Sequence, residues 1–338
     1  KRGKKGLSPI TFRLFLRTII SFSYYGLGGF IFSFFGHFFV KKSKGKTLLF
    51  IKKLIAKFLT SVLHLSPFVK KRVENFHQET FDKPAVIIAN HTSFLDTLVI
   101  AMVTPKIVYL VNDWVWDSPI FGKLVKALGF FPVSQGIENG VNPLKQKIEE
   151  GYSLVVFPEA KRSMDNDVKR FHKGAFYLAE EFGLDILPMY IHGDSEVLPK
   201  DDFFIYDGAI TAIIGERISL NDENFGRNYS ERGKKINAFY REKFAEIRTR
   251  LEDENYFKKT LFLAYLYKEN SVVSAVKKDF NENKNLYFRL NNFIEKNTKT
   301  LHIADDYGQL DMLLSLQQAS RSVFSFIKNE EKKSVASN

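Results

Sequence analysis

No aspartate or glutamate occurs before Glu74, and within that stretch the 23 residues from Thr18 to Val40 carry no formal charge. Crossing the hydrocarbon core of a bilayer takes about 20 apolar residues, so this segment is long enough to do so. Four glycines, three serines and His37 dilute its hydrophobicity. Basic residues flank it on both sides, Arg13 and Arg17 before it and Lys41, Lys42, Lys44 and Lys46 after it, so the positive-inside rule assigns no orientation. The run is too long for a signal peptide and lacks a small-residue cleavage site. A spanning or deeply inserted helix is expected at 18–40, with a re-entrant or interfacial segment or a buried core helix as the alternatives.

Sixteen Lys and Arg precede Glu74, whereas in the rest of the chain 34 basic residues face 38 acidic ones. The net charge of +12 therefore belongs to one end of the molecule and not to a basic globule. Either nucleic acid or an anionic lipid surface attracts such a segment. The residues between the charges choose between them. From Thr47 to Val69, Leu48, Ile51, Leu54, Ile55, Phe58 and Val62 recur at helical spacing, with Lys52, Lys53 and Lys57 between them. That pattern is a basic amphipathic helix suited to a membrane interface, and its aliphatic residues offer no stacking platform for bases. No nucleic-acid partner is expected. Gly45-Lys46-Thr47 imitates the end of a phosphate loop, but that motif needs a glycine where Val40 stands.

Beyond Pro84, short apolar runs alternate with helical patterns. Ala85–Ala89, Lys106–Val111, Phe130–Val133, Ser153–Phe157, Ile186–His192 and Ala209–Gly215 read as strands. Ser93–Val103, Phe121–Leu128, Val141–Glu150 and Gly174–Phe182 read as helices. The expected fold is α/β, a mixed central sheet flanked by helices, with the membrane-inserted helix and the amphipathic helix at its N-terminus.

In such folds reactive groups lie just beyond strand ends. After the first apolar run comes Asn90-His91-Thr92-Ser93-Phe94-Leu95-Asp96. A chain turn there brings the Asp96 carboxylate back to the His91 imidazole, where it fixes the tautomer and raises the basicity of a general base. The spacing fits equally an Asp96 that serves the helix N-terminus and a His91 satisfied within the turn. A second cluster, Phe157-Pro158-Glu159-Ala160-Lys161-Arg162-Ser163, follows another strand and continues to Lys169-Arg170-Phe171-His172-Lys173-Gly174. The Arg162 fork suits a phosphate, although a basic loop before a helix also exists simply solvated. Without cysteine there is no disulfide, thiol nucleophile or thiolate metal site.

Together these clusters resemble the signature blocks of the glycerolipid acyltransferases, the 1-acylglycerol-3-phosphate acyltransferase family. The first matches its N-H-x-x-x-x-D block. The second is similar to F-P-E-G-T-R-S, with Ala160 for glycine and Lys161 for threonine. Between them lies Gly129-Phe130-Phe131-Pro132-Val133-Ser134-Gln135, and after them Leu187-Pro188-Met189-Tyr190-Ile191-His192-Gly193, both in family order. The resemblance implies His91 as general base, Asp96 as its orienting partner, and Glu159, Lys161, Arg162 and Ser163 at the acceptor. It implies transfer of an acyl chain from acyl-CoA or acyl-carrier protein to a hydroxyl of lysophosphatidic acid or a related lysophospholipid. No cofactor or metal is expected, and the location implied is the cytoplasmic face of the inner or plasma membrane, with membrane lipids as partners. Where the family commonly has arginine, this chain has Gln135, a loss of roughly 1.5–3 kcal/mol if that arginine holds the acceptor phosphate. Gln135 and Lys161 leave room for an alternative, a catalytically weak lipid-binding or scaffold module on the same fold.

The organisation expected is a membrane anchor at 1–69, an acyltransferase domain at 70–256 and a C-terminal appendage at 257–338. Glu231–Glu254 is helical, Asn281–Asn297 an exposed helix or joint, and Thr300 onward a strand, polar turn, helix and strand. The last part faintly resembles the first β-α-β unit of S-adenosylmethionine-dependent methyltransferases, with one glycine, Gly308, in its turn. That turn is too poor in glycine for close backbone approach to such a cofactor, so no binding of it is expected. The chain starts without Met, as a piece of a longer polypeptide does.

Overall fold

A computed structural model describes residues 12–64, 68–163, 167–318 and 320–337. The described residues divide into two compact units, one formed by 12–64, 68–163 and 168–244, the other by 245–318 and 320–337 with Asp167.

The first unit opens with two helices, α1 (Phe12–Lys42) and α2 (Gly45–His64). The second is shorter than its periodicity suggests, because Val69 already belongs to a strand, β1 (Val69–Glu74). That strand pairs with β7 (Gly208–Ile214) across more than 130 residues of sequence, a partnership local periodicity cannot reveal. Between them come β2 (Val86–Ala89), α3 (Asp96–Val103), β3 (Ile107–Val111), α4 (Asp113–Trp116), α5 (Gly122–Ala127), β4 (Phe131–Pro132), α6 (Ile137–Glu149), β5 (Ser153–Val156), α7 (Gly174–Phe182), β6 (Ile186–His192) and α8 (Asp194–Val197). Helix α3 starts at Asp96, three residues later than its apolar pattern suggests, because Thr92 and Ser93 form the turn that contacts the Asp96 side chain.

The strands lie in the order β1-β7-β6-β2-β5-β3-β4. Strands β6, β2, β5, β3 and β4 run parallel, and β7 turns antiparallel to β6. The mixed α/β sheet flanked by helices is thus the fold of this unit. All four residues of β2 and all seven of β6 are buried, as parallel strands covered on both faces require. Because β2 sits between β6 and β5, the loops that leave the carboxyl ends of these three strands emerge side by side.

Helix α1 packs on this unit through a stripe of small residues. Thr18, Ser21, Gly29, Ser33, Gly36 and Val40 are its buried positions. A Cβ at Gly29 would come within 2.4 Å of the Phe121 ring, and one at Gly28 within 2.3 Å of Phe58. At its start, Arg17 pairs with Asp207 and donates to the Ile205 carbonyl. The opposite face leaves Phe30, Phe34, Phe35, Phe38 and Phe39 more than half exposed.

The helix α9 (Tyr229–Leu251) begins in the first unit and runs on into the second. The second unit also contains α10 (Lys258–Ala264), α11 (Asn270–Phe293), β8 (Lys299–Ala304), α12 (Gln309–Gln317), β9 (Ser322–Ile327) and α13 (Glu330–Ser337). Strands β8 and β9 pair in parallel, and α12 crosses between them, with Gly308 in the left-handed region just before it. Leu301, Ile303, Phe324 and Phe326 of this two-stranded sheet are exposed.

Tyr240 ties α9 to the strands beneath the turn that follows β2. Its ring is fully buried, its hydroxyl lies 2.6 Å from the Met189 carbonyl, and it accepts the Asn90 N–H at 2.9 Å. Asn90 in turn exchanges two hydrogen bonds with the Ile191 backbone through its side-chain amide. Replacing Tyr240 by Phe removes the hydroxyl and strands a buried N–H. It is expected to lower the unfolding free energy by about 1–3 kcal/mol. Urea denaturation is the measurement, and the expected result is a lower midpoint at unchanged slope.

Candidate active site

The turn after β2 forces His91 and Asp96 together. The His91 Nδ1–H donates to Asp96 Oδ2 at 2.6 Å. That same oxygen accepts the Thr92 N–H at 2.9 Å and the Ser93 N–H at 3.1 Å. Two backbone N–H groups on this oxygen favour the carboxylate form, and a carboxylate facing Nδ1 requires the imidazole to carry its proton there. The lone pair of Nε2 is then free for an incoming hydroxyl. Asp96 is wholly buried, whereas the His91 side chain is 19 % exposed.

Burial pushes the Asp96 carboxyl up to about 6, against the pull of the Asp194 side chain and of the Ser93 and Thr92 backbone N–H groups. His91 is pushed down to about 4, first by burial and then by the Arg162 cation, against the opposing pull of Glu159 and Asp194. Its ring stacks on Phe157 at 4.2 Å between centroids, which fixes the plane of the imidazole.

The loop after β5 supplies both structure and charge. Glu159, 5 % exposed, accepts the His91 backbone N–H at 2.9 Å through one oxygen and the Lys169 N–H at 2.8 Å through the other. Its carboxylate is a strut between the histidine turn and the basic loop, and burial pushes its pKa up against these two bonds. Ser163 is buried, and its backbone N–H donates to the His91 carbonyl at 2.7 Å. Arg162 is half-buried, and Lys161 is exposed. Lys200 donates to the Arg162 carbonyl at 3.1 Å. Ala160 adopts φ +60°, a left-handed conformation that favours glycine. That explains physically why the related sequence pattern carries glycine there. Of the proposed acceptor residues, then, Arg162 and Lys161 remain available at the surface, while Glu159 and Ser163 brace the turn.

The Gly129–Gln135 block forms β4 and a one-turn 3-10 helix at the edge of the sheet, two strands from β5. The side chain of Gln135 lies outside the described residues. Three contributors escaped sequence reasoning: Asp194, whose carboxyl meets the Thr92 hydroxyl at 2.6 Å, together with Tyr240 and Lys200. Asp194 follows a strand end directly, which was the one available signal.

Several known proteins resemble this chain. Residues 69–192 match the family model described as Acyltransferase. The chain is 30 % identical over 170 residues to the chloroplastic 1-acyl-sn-glycerol-3-phosphate acyltransferase of Arabidopsis thaliana, an alignment that covers 48 % of each chain. It is 25 % identical over 173 residues to the 1-acyl-sn-glycerol-3-phosphate acyltransferase of Pseudomonas aeruginosa, which covers 49 % of this chain and 66 % of the relative. The chain spans about half the length of the first curated relatives it matches. The crystal structure of the 1-acyl-sn-glycerophosphate acyltransferase of Thermotoga maritima superposes with a TM-score of 0.58 at 20 % identity, over 70 % of this chain and 97 % of the other, so the two share a fold.

A histidine held down to about 4 is neutral at pH 7 and stays neutral until the pH falls well below the ordinary histidine value. The acid limb of kcat/KM for any reaction that uses His91 as base is therefore expected below pH 6. A profile of kcat/KM from about pH 4 to about pH 8 checks this, since an unperturbed histidine places the limb near 6.5.

Proposed function

We propose that this chain, whose residues 69–192 match the family model described as Acyltransferase, is an acyltransferase that esterifies a lysophospholipid at a membrane surface. The single observation that carries the reading is the buried Asp96 carboxylate holding the His91 proton on Nδ1, with Nε2 open at the mouth of a basic loop. In the proposed reaction, Nε2 takes the proton of the acceptor hydroxyl as its oxygen attacks the thioester carbonyl. The tetrahedral intermediate collapses, the carbon–sulfur bond breaks, and the departing thiolate receives that proton from the imidazolium. No acyl-enzyme forms. The Arg162 guanidinium and the neighbouring Lys200 supply cations for an anionic head group, and lysophosphatidic acid is the acceptor that the named relatives suggest. Both acyl-CoA and acyl-carrier protein offer the required thioester.

The test is free-thiol release by purified protein given lysophosphatidic acid with acyl-CoA in one arm and acyl-carrier protein in the other. His91→Ala is expected to lower turnover by on the order of 100- to 10,000-fold while the protein remains folded. Near-normal turnover by a folded His91→Ala protein excludes the assignment. A wild-type chain that binds lipid but releases no thiol in either arm identifies the catalytically weak module instead.

Membrane attachment follows from α1 and α2. Helix α1 is long and apolar enough to cross a bilayer by length and composition. Its body contacts extend from Arg17 to Val40, along nearly its whole length. We propose that it lies inserted in the interface with its Phe-rich face in lipid, α2 beside it, and the catalytic mouth facing the cytoplasmic side. Each buried Phe contributes roughly 1.5–3 kcal/mol, against about 1 kcal/mol for each basic residue near the headgroups. The apolar term dominates, and salt does not screen it. A wash at about 1 M salt, where the screening length falls to about 3 Å, is expected to leave the chain in the membrane fraction. Replacing Phe30, Phe34 and Phe38 together by Ser is expected to make it salt-extractable with its fold intact, because these side chains point away from the body. Release of the unaltered chain by salt alone excludes insertion of α1.

A further inference from the structure

Asp96 carries its charge on two oxygens, and only one is accounted for. Oδ2 receives three N–H groups, whereas Oδ1 is buried and accepts no hydrogen bond from an N–H or hydroxyl donor. An unsatisfied buried carboxylate oxygen costs more than an ordinary lost hydrogen bond. The neighbour that can satisfy it is Asp194, the first residue of α8, 1 % exposed and just past the carboxyl end of β6. Its side chain lies within hydrogen-bonding reach of Asp96. Its Oδ2 already accepts the Thr92 hydroxyl at 2.6 Å, from the same turn that holds His91.

Two carboxylates so close and so buried do not both ionise. The one with three N–H donors keeps the charge, so the one with fewer, the Thr92 hydroxyl and its own backbone N–H, keeps the proton. The geometry points to Asp194 as a protonated carboxyl whose O–H donates to Asp96 Oδ1 and thereby positions the His91–Asp96 pair. Burial and the Asp96 charge both push the Asp194 carboxyl well above the usual carboxylate range, in agreement. The other charged groups that act on the pair are Glu159 and Arg162 from the loop after β5 and Lys200 from the segment after α8. Asp194 is thus a positioning residue. Without its donor, Asp96 becomes more basic and takes up a proton from solvent; the protonated carboxyl then donates to Nδ1 and leaves the ring proton on Nε2, the wrong tautomer to accept another there.

This inference rests on His91 being the general base, and its test separates the two. Asp194→Asn keeps an N–H donor for Asp96 and an acceptor for Thr92 without a titrating group, whereas Asp194→Ala keeps neither. With lysophosphatidic acid and acyl-CoA, Asp194→Ala is expected to lower kcat by about tenfold or more at little change in KM, as expected for one lost hydrogen bond to a charged group. Its acid limb of kcat/KM is expected to move to higher pH. Asp194→Asn is expected to retain both kcat and limb. If Asp194→Ala does not fold, the Asn variant still decides. Were Asp194 ionised in the native protein, removing its charge would move the acid limb to lower pH, because its anion raises the His91 pKa. An Asn variant with a displaced limb, or one as impaired as the Ala variant, overturns the inference, as does an Ala variant with native kcat and limb. If His91→Ala is inactive in the same assay, such a result sinks only the role of Asp194. Retained turnover in His91→Ala sinks both.

Discussion

A buried carboxylate survives only where its hydrogen-bonding capacity is consumed, and the turn around Asp96 consumes that of one of its two oxygens. Three N–H groups converge on one of its oxygens, from the His91 ring and from the Thr92 and Ser93 backbone. The turn from β2 to α3 therefore closes around the carboxylate, and this closure sets both the helix start at Asp96 and the direction of the imidazole. The geometry of the proposed catalytic pair and the local folding are here one set of bonds. The same economy governs Glu159, whose two oxygens join the histidine turn to the basic loop and leave little capacity for a substrate.

The turn is held in place from outside by strand order. Strands β6, β2 and β5 are neighbours, so residues distant in sequence meet beyond their carboxyl ends: His91 after β2, Glu159 after β5 and Asp194 after β6. The Asn90 amide locks β2 to β6, and the Tyr240 hydroxyl anchors both to α9. Nothing in this depends on loop rigidity. Each loop inherits its position from a strand buried on both faces.

Much of this was legible in the sequence, for reasons that can be named. Apolar runs bounded by polar clusters marked β2, β5 and β6, because parallel central strands tolerate no polar side chain on either face. The five-residue interval from His91 to Asp96 is local, so a single turn explains it. The neighbourhood of β6 and β2 is not local, and Asp194 was therefore invisible as a partner of Asp96. Strand β1 was missed for a related reason. Its Lys70, Lys71 and Arg72 disguise an edge strand whose pairing is with β7. Glu159 and Ser163 were identified by type and position, but their buried backbone-bracing contacts follow only from the fold.

The N-terminal helix carries the same lesson in a different form. Read as hydropathy, its glycines and serines weaken the case for insertion. Read as a surface, they separate two tasks that a uniformly apolar helix cannot perform together. The small stripe of Thr18, Ser21, Gly28, Gly29, Ser33 and Gly36 lets the backbone approach Phe58, Phe121 and Leu124, where a larger side chain would collide. The large residues are thereby confined to the other face, where Phe30, Phe34, Phe35, Phe38 and Phe39 stand exposed. Water penalises such a face and lipid does not. The charge distribution agrees, because the exposed Lys53 and Lys57 of α2 meet no acidic side chain anywhere in α1 or α2. Packing thus decides which side of α1 faces the protein, and that choice leaves the other side fit for a lipid surface.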